Sequence, residues 1–203
     1  MNPTHKPRLL LSNDDGVTAK GLNFLIDVLA PMADLFVMAP DGPRSGAGCS
    51  LTSITPTCYR VLRDEPGLKV CACSGTPVDC VKLALDQAMD YTPDLIVGGV
   101  NHGSNASINV HYSGTMGVAL EGAMKGIPSV AFSLCNHRPD ADFTPLQTYV
   151  KDIVARTLSV GLPTYTCLNV NFPDLTAFKG IRVCRMARSS WTHEYAPCPH
   201  PYG

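Results

Sequence analysis

Short apolar runs alternate along this chain with segments whose apolar residues recur at helical spacing. That alternation admits few folds other than a parallel sheet covered by helices on both faces. Residues 8–12 read as a first strand and 20–30 as a first helix, with Leu22, Leu25, Ile26 and Leu29 on one stripe. Residues 34–39 read as a second strand, and 57–62 with 68–74 as a hairpin at the sheet's edge. Thr76-Pro77-Val78-Asp79 supplies a capping hydroxyl, a proline at the first helical position and a carboxylate at the third, which predicts a helix over 77–89. The same pattern predicts strands over 94–100, 127–134, 167–171 and 181–186, and helices over 114–125 and 146–160. Residues 189–203, with three prolines, two tyrosines and a tryptophan, read as an extended arm.

A chain of 203 residues, 45% of them apolar, is long enough for one substantial core, and no repeat, low-complexity tract or flexible linker divides it. One domain is expected over 1–188, followed by the arm. Sixteen basic and seventeen acidic residues leave a net charge of -1, so no global field recruits a nucleic acid polymer or a membrane. An anionic ligand must be drawn by a local site. The nine cysteines are odd in number and lack a C-x-x-C pair, which argues against a disulfide framework and against a zinc cage. They read mostly as core fillers in a reducing compartment, as Met32, Met38, Met89, Met116 and Met124 read as packing. The apolar stretch near the start is too short for a signal peptide or a membrane span, so a cytoplasmic location is expected.

In an open parallel sheet the ligand crevice lies beyond the carboxyl ends of the strands, which gives the loops there the most weight. The first strand runs into Ser12-Asn13-Asp14-Asp15-Gly16, where two adjacent carboxylates precede a glycine. The second leads to Arg44-Ser45-Gly46, and the strand ending near Val100 leads to Asn101-His102-Gly103-Ser104-Asn105. Two carboxylates, a hydroxyl and a carboxamide are hard oxygen ligands that suit Mg²⁺ or Mn²⁺ rather than Zn²⁺. Asp14 and Asp15 read alternatively as a helix cap and turn, but adjacent acids beside an apolar strand end repel one another unless a cation or donors lie between them.

His111-Tyr112-Ser113-Gly114-Thr115-Met116-Gly117 opens a helix whose free N–H groups and dipole favour an anion, with Ser113 and Thr115 adding hydroxyl donors. The plainer reading is a helix start whose glycines permit close packing. Taken together, these parts describe metal-assisted phosphoester hydrolysis, with Asp14 or Asp15 also able to take the proton of the attacking water. Sequence does not choose between the two. Arg44 reads either as a phosphate contact or as a solvated charge, and His102 and His111 either as general acids or as hydrogen-bonded loop histidines.

SNDDG at 12–16, APDGPRSGAGCSLT at 39–52, SGTPVDCVKLAL at 74–85, GGVNHGSN at 98–105 and HYSGTMGVALEGA at 111–123 resemble the SurE family of 5'/3'-nucleotidases, in unbroken order from about residue 8 to about 188. The resemblance implies a three-layer α/β/α fold of Rossmann-like type with a mostly parallel sheet and an extended C-terminal arm. It implies one divalent cation per subunit on Asp14, Asp15, Ser45 and Asn101, and phosphate contacts from Asn105, Ser113, Gly114 and Thr115. The implied substrates are nucleoside 5'- and 3'-monophosphates, with short polyphosphate as a further one. Members of the family usually continue past the position of Gly203 through an exchanged arm that joins subunits, so a homodimer rather than a tetramer is expected. Trp191, Tyr195 and Tyr202 would then face a partner, or else fold back on their own domain.

Two other classes compete. A phospho-receiver domain also places acids after its first strand, but the acceptor aspartate and the lysine it needs after later strands are missing here. A nucleotide-binding protein that is catalytically incomplete would carry the same motifs. A dinucleotide-binding oxidoreductase is disfavoured because N-D-D-G stands where G-x-G-x-x-G is needed.

Overall fold

A computed structural model describes residues 6–199. The chain runs β1 (Arg8–Ser12), α1 (Lys20–Leu29), β2 (Asp34–Pro40), β3 (Tyr59–Glu65), β4 (Leu68–Cys73), α2 (Pro77–Leu83), β5 (Leu95–His102), α3 (Gly114–Met124), β6 (Ser129–Leu134), α4 (Gln147–Val160) and β7 (Leu168–Phe172). These strands make one seven-stranded sheet in the order β3-β4-β2-β1-β5-β6-β7. Every neighbouring pair is parallel except the β3–β4 hairpin, which lies at the edge as expected.

The first strand shows how the layers arise. Leu9 and Leu11 point into one core with Leu22, Leu25 and Leu29 of α1 and Val150 and Val154 of α4, whereas Leu10 points to the other face among Phe36, Met38, Val81 of α2 and Val118 of α3. Apolar residues on both sides of the strand follow from helices on both faces of the sheet. The result is a three-layer α/β/α architecture, with α1 against α4 on one side and α2 against α3 on the other.

The Thr76 signal works as read. Its hydroxyl accepts the Asp79 N–H at 3.1 Å and the Asp79 carboxylate accepts the Thr76 N–H at 2.8 Å, closing a capping box with Pro77 at the helix start. The helix then loosens into a π turn over Ala84–Ala88, so regular α-helix stops short of residue 89.

Three expectations are corrected. Residues 181–186 form no strand: Ile181, Val183 and Met186 stand exposed, because among the described residues nothing pairs with β7 on its outer side and a β-rich run without a neighbour has no ladder to join. Of the nine cysteines only Cys71, Cys73 and Cys80 are buried, and five are exposed, so most do not fill the core. Met124, on the outer side of α3, is exposed as well. Tyr202 lies outside the described residues. No helix among the described residues is long and apolar enough to cross a membrane.

Candidate active site

After β1 the chain winds to one side of the sheet through β2 and β4, and α2 then carries it back to β5 on the other side of β1. The order reverses between β1 and β5, so the crevice opens beyond their carboxyl ends. The acidic pair and Asn101 stand at those two ends.

Asn13, fully buried, shapes the turn after β1. Its Nδ2 donates to the Gly16 carbonyl at 3.1 Å and its Oδ1 accepts the Gly16 N–H at 3.2 Å, while Gly16 takes φ +101°, which a side chain would oppose. Asp14 thereby faces α3. Its Oδ2 accepts the Gly114 N–H at 3.1 Å and its Oδ1 accepts the Thr115 hydroxyl at 2.5 Å. The approach requires Gly114, since a Cβ there would lie 2.7 Å from the Asp14 Cβ. The anion that occupies the start of α3 is thus the protein's own carboxylate. Ser113 is the N-cap of α3, its Oγ accepting the Met116 N–H at 3.0 Å.

The other candidate ligands are drawn in from their own loops. The Arg44 N–H donates to the Asp14 carbonyl at 2.7 Å, which brings the neighbouring, exposed Ser45 to the acidic turn. The Arg44 guanidinium pairs with Asp41 Oδ1 and the Ser74 carbonyl, each at 3.2 Å, so it braces the loop. The His102 N–H donates to Asp15 Oδ2 at 3.3 Å, which ties Asp15 to the end of β5. Asn101 was expected in a loop, yet it belongs to β5 and pairs with Ser133 after a register shift between Gly98 and Asn101. Its Nδ2 donates to the Gly103 carbonyl at 2.8 Å and to Asn105 Oδ1 at 3.2 Å, which leaves the carboxamide oxygen as the atom available to a cation.

Asn105 is 2% exposed and held from several sides. Its N–H donates to Asn171 Oδ1 and its carbonyl accepts Asn169 Nδ2, both at 2.8 Å, while its own Nδ2 is buried without a partner among the described residues. That orphaned donor suits an oxygen ligand. Asn169 and Asn171 were not foreseen as site residues; the signal was the pair of carboxamides at the carboxyl end of the last strand, in Leu168-Asn169-Val170-Asn171-Phe172. The His102 ring sits edge-on to Phe143 with its Nδ1 buried and unpartnered among the described residues, and His111 is exposed.

Electrostatics bear on what the acids can hold. Burial raises the Asp14 carboxyl above its ordinary value; the Thr115 hydroxyl works against this and the charge of Asp15 adds to it. Burial also raises Asp15, opposed by the N–H and charge of His102. A divalent cation reverses this by favouring the ionised forms. Among the described residues no cluster of three His, Cys, Asp or Glu side chains suited to a metal occurs, so a cation here would rest on two carboxylates and neutral oxygens. That donor set fits Mg²⁺ or Mn²⁺.

Comparison with known proteins bears on the fold and the family. The family model described as Survival protein SurE matches residues 9–193. The chain is 57% identical to 5'-nucleotidase SurE of Bacteroides thetaiotaomicron over 96% of its own length and 75% of the relative's. It is 53% identical to 5'-nucleotidase SurE of Bacteroides fragilis, over 96% of this chain and 76% of that one. The crystal structure of the SurE protein from Aquifex aeolicus superposes with a TM-score of 0.83 at 37% identity, covering 97% of this chain and 79% of that one. Motif, fold and kinship converge along nearly the whole length, and the chain belongs to the SurE family.

Proposed function

We infer that this chain is a 5'-nucleotidase, a phosphomonoesterase that converts nucleoside monophosphates to nucleoside and phosphate using one divalent cation held by Asp14, Asp15, Ser45 and Asn101. The observation that carries the reading is the convergence of the acidic turn and the Asn101 carboxamide at the strand switch point, with Asp14 pinned by the start of α3. Relatives more than half identical along nearly the whole chain bear the name 5'-nucleotidase SurE. Short polyphosphate and 3'-monophosphates are further substrates for the same panel.

The cation, Mg²⁺ or Mn²⁺, would polarise the phosphoryl oxygens and lower the pKa of a bound water. Asp14 has both carboxylate oxygens engaged by Gly114 and Thr115, so it orients and does not shuttle protons. Among the described residues Asp15 accepts the His102 N–H alone, on Oδ2, which leaves Oδ1 to take a proton from the attacking water. Asn105 Nδ2 and the hydroxyl of Ser113 are donors for the phosphate, whereas the N–H of Gly114 and the hydroxyl of Thr115 donate to Asp14 and hold its carboxylate in place. A reducing, cytoplasmic setting is supported by nine unpaired thiols, and a homodimer by the exposed row Ile181, Val183 and Met186 just before the arm.

The test is phosphate release from a panel of 5'- and 3'-nucleoside monophosphates with Mg²⁺, with Mn²⁺ and with chelator. Cation-dependent release is expected. A folded chain that binds nucleotide and releases nothing would make it the catalytically incomplete relative instead.

The raised carboxyls give a second, independent measurement. A carboxyl whose folded pKa exceeds its unfolded value of 3.8 binds its proton more tightly in the native state, so its contribution to stability declines as pH rises from that value through the folded one. Cation binding opposes that decline. Saturating Mg²⁺ should therefore raise Tm more at pH 8 than at a pH near the unfolded value, by roughly 5–10 °C at pH 8 when the ion is at about a hundred times its Kd. A Tm gain independent of pH, or none at all, would count against Asp14 and Asp15 as ligands.

A further inference from the structure

Tyr112 and Trp191 stack with ring centroids 4.5 Å apart and planes 27° from parallel, yet the two residues remain 45% and 46% exposed. Tyr112 directly precedes Ser113, so its Cα lies within about 7 Å of that of Gly114, the reach of one ribose from the phosphate donors. Its carbonyl accepts the Gly48 N–H at 3.1 Å, which fixes it to the loop that carries Ser45. Trp191 is held at its rim: the indole N–H donates to Asn109 Oδ1 at 2.9 Å, and the nearby Ser189 Oγ accepts the Ile108 N–H at 3.2 Å. Asn109 is in turn anchored through Nδ2 to the Ser104 carbonyl at 2.9 Å, one residue from Asn105. The arm thus returns to its own domain at this point, and rim bonds leave the indole face turned away from Tyr112 for stacking.

We propose that the Tyr112–Trp191 pair is the platform on which the substrate's nucleobase lies, an inference that rests on the nucleotidase reading and assigns the base its place. Every base presents a π-face, and an aromatic surface fixed at its edge takes any of them. Asn109 is oriented by the indole and by the Ser104 carbonyl, each taking one of its hydrogen-bonding positions, so its carboxamide is set by the protein and not by a base edge. The platform accordingly separates nucleotides from phosphomonoesters that lack a base, and separates one base from another only weakly.

Trp191 is the single tryptophan of the chain, so selectively excited tryptophan emission reports on the platform. Adenosine should quench it in a saturable way, and ribose 5-phosphate and inorganic phosphate should not. In turnover with Mg²⁺, Trp191→Ala should raise KM for AMP about tenfold, the worth of one stacked base. It should lower the ratio of kcat/KM for AMP over ribose 5-phosphate by the same factor, and Trp191→Phe should restore most of both. Unaltered KM for AMP in the Ala variant, or equal quenching by adenosine and ribose 5-phosphate, overturns the platform while leaving nucleotide hydrolysis standing. Saturable quenching by adenosine in a protein that releases no phosphate supports the platform and removes the nucleotidase reading instead.

Discussion

Asp14→Asn is expected to lower cation-dependent phosphate release by about a thousandfold or more, because a ligand charge that contributes several kcal/mol to holding and using the cation disappears. Asp14 is 3% exposed and its carboxyl is already pushed up by burial, so the metal-free variant is relieved of a desolvated charge. The carboxamide keeps one oxygen for the Gly114 N–H and Thr115 hydroxyl, though it cannot serve both as two carboxylate oxygens do. The variant should therefore fold with an unaltered circular dichroism spectrum and a metal-free Tm within a few degrees of the parent, on the order of 1 kcal/mol. Loss of the Mg²⁺-induced rise in Tm would accompany the loss of turnover. Full activity in a folded Asp14→Asn protein would remove the proposed cation site.

Gly114→Ala should impair both stability and catalysis, through space rather than charge. The added methyl would stand 2.7 Å from the Asp14 Cβ, 2.9 Å from Pro77 Cγ and 3.1 Å from Asp14 Oδ2. Alanine in open space would favour a helix by about 1 kcal/mol over glycine, but overpacking costs roughly 1–3 kcal/mol, so the crowding wins. Tm should fall by about 2–8 °C. Displacing the Asp14 carboxylate by about 1 Å should reduce kcat/KM roughly a hundredfold. Gly42→Ala is the control: a Cβ there meets nothing within 4 Å, and activity close to the parent's is expected. Equal activity in both variants would show that Asp14 does not depend on its approach to α3.

The layers of the fold were legible because each central strand writes both of its neighbours into its own residues, as Leu9-Leu10-Leu11 does. The turn chemistry of Ser12-Asn13-Asp14-Asp15-Gly16 and the capping box of Thr76 and Asp79 are local, and local signals survive in sequence. What was hidden depends on register and on long-range partners. Asn101 looked like a loop residue because nothing in Gly98-Gly99-Val100 announces that β5 shifts register and then resumes pairing with β6. Thr115 was expected to face a phosphate, and only the assembled sheet reveals that its hydroxyl meets Asp14 across 101 residues of chain. Residues 181–186 carry the composition of a strand, but strandhood is a property of a pair, and these residues pair with no strand among the described residues.

That same span between Asp14 and Thr115 sets the order of events when the chain folds. The acidic turn, the Ser45 loop, the end of β5 and the start of α3 come together only after parallel strands distant in sequence have found one another, and the loop closures this requires cost entropy before any contact offsets them. A half-formed chain offers an ion two lone carboxylates in water and little else. A cation held here cannot template folding; it acts on the finished sheet, as a brake on the rate at which the native state comes apart.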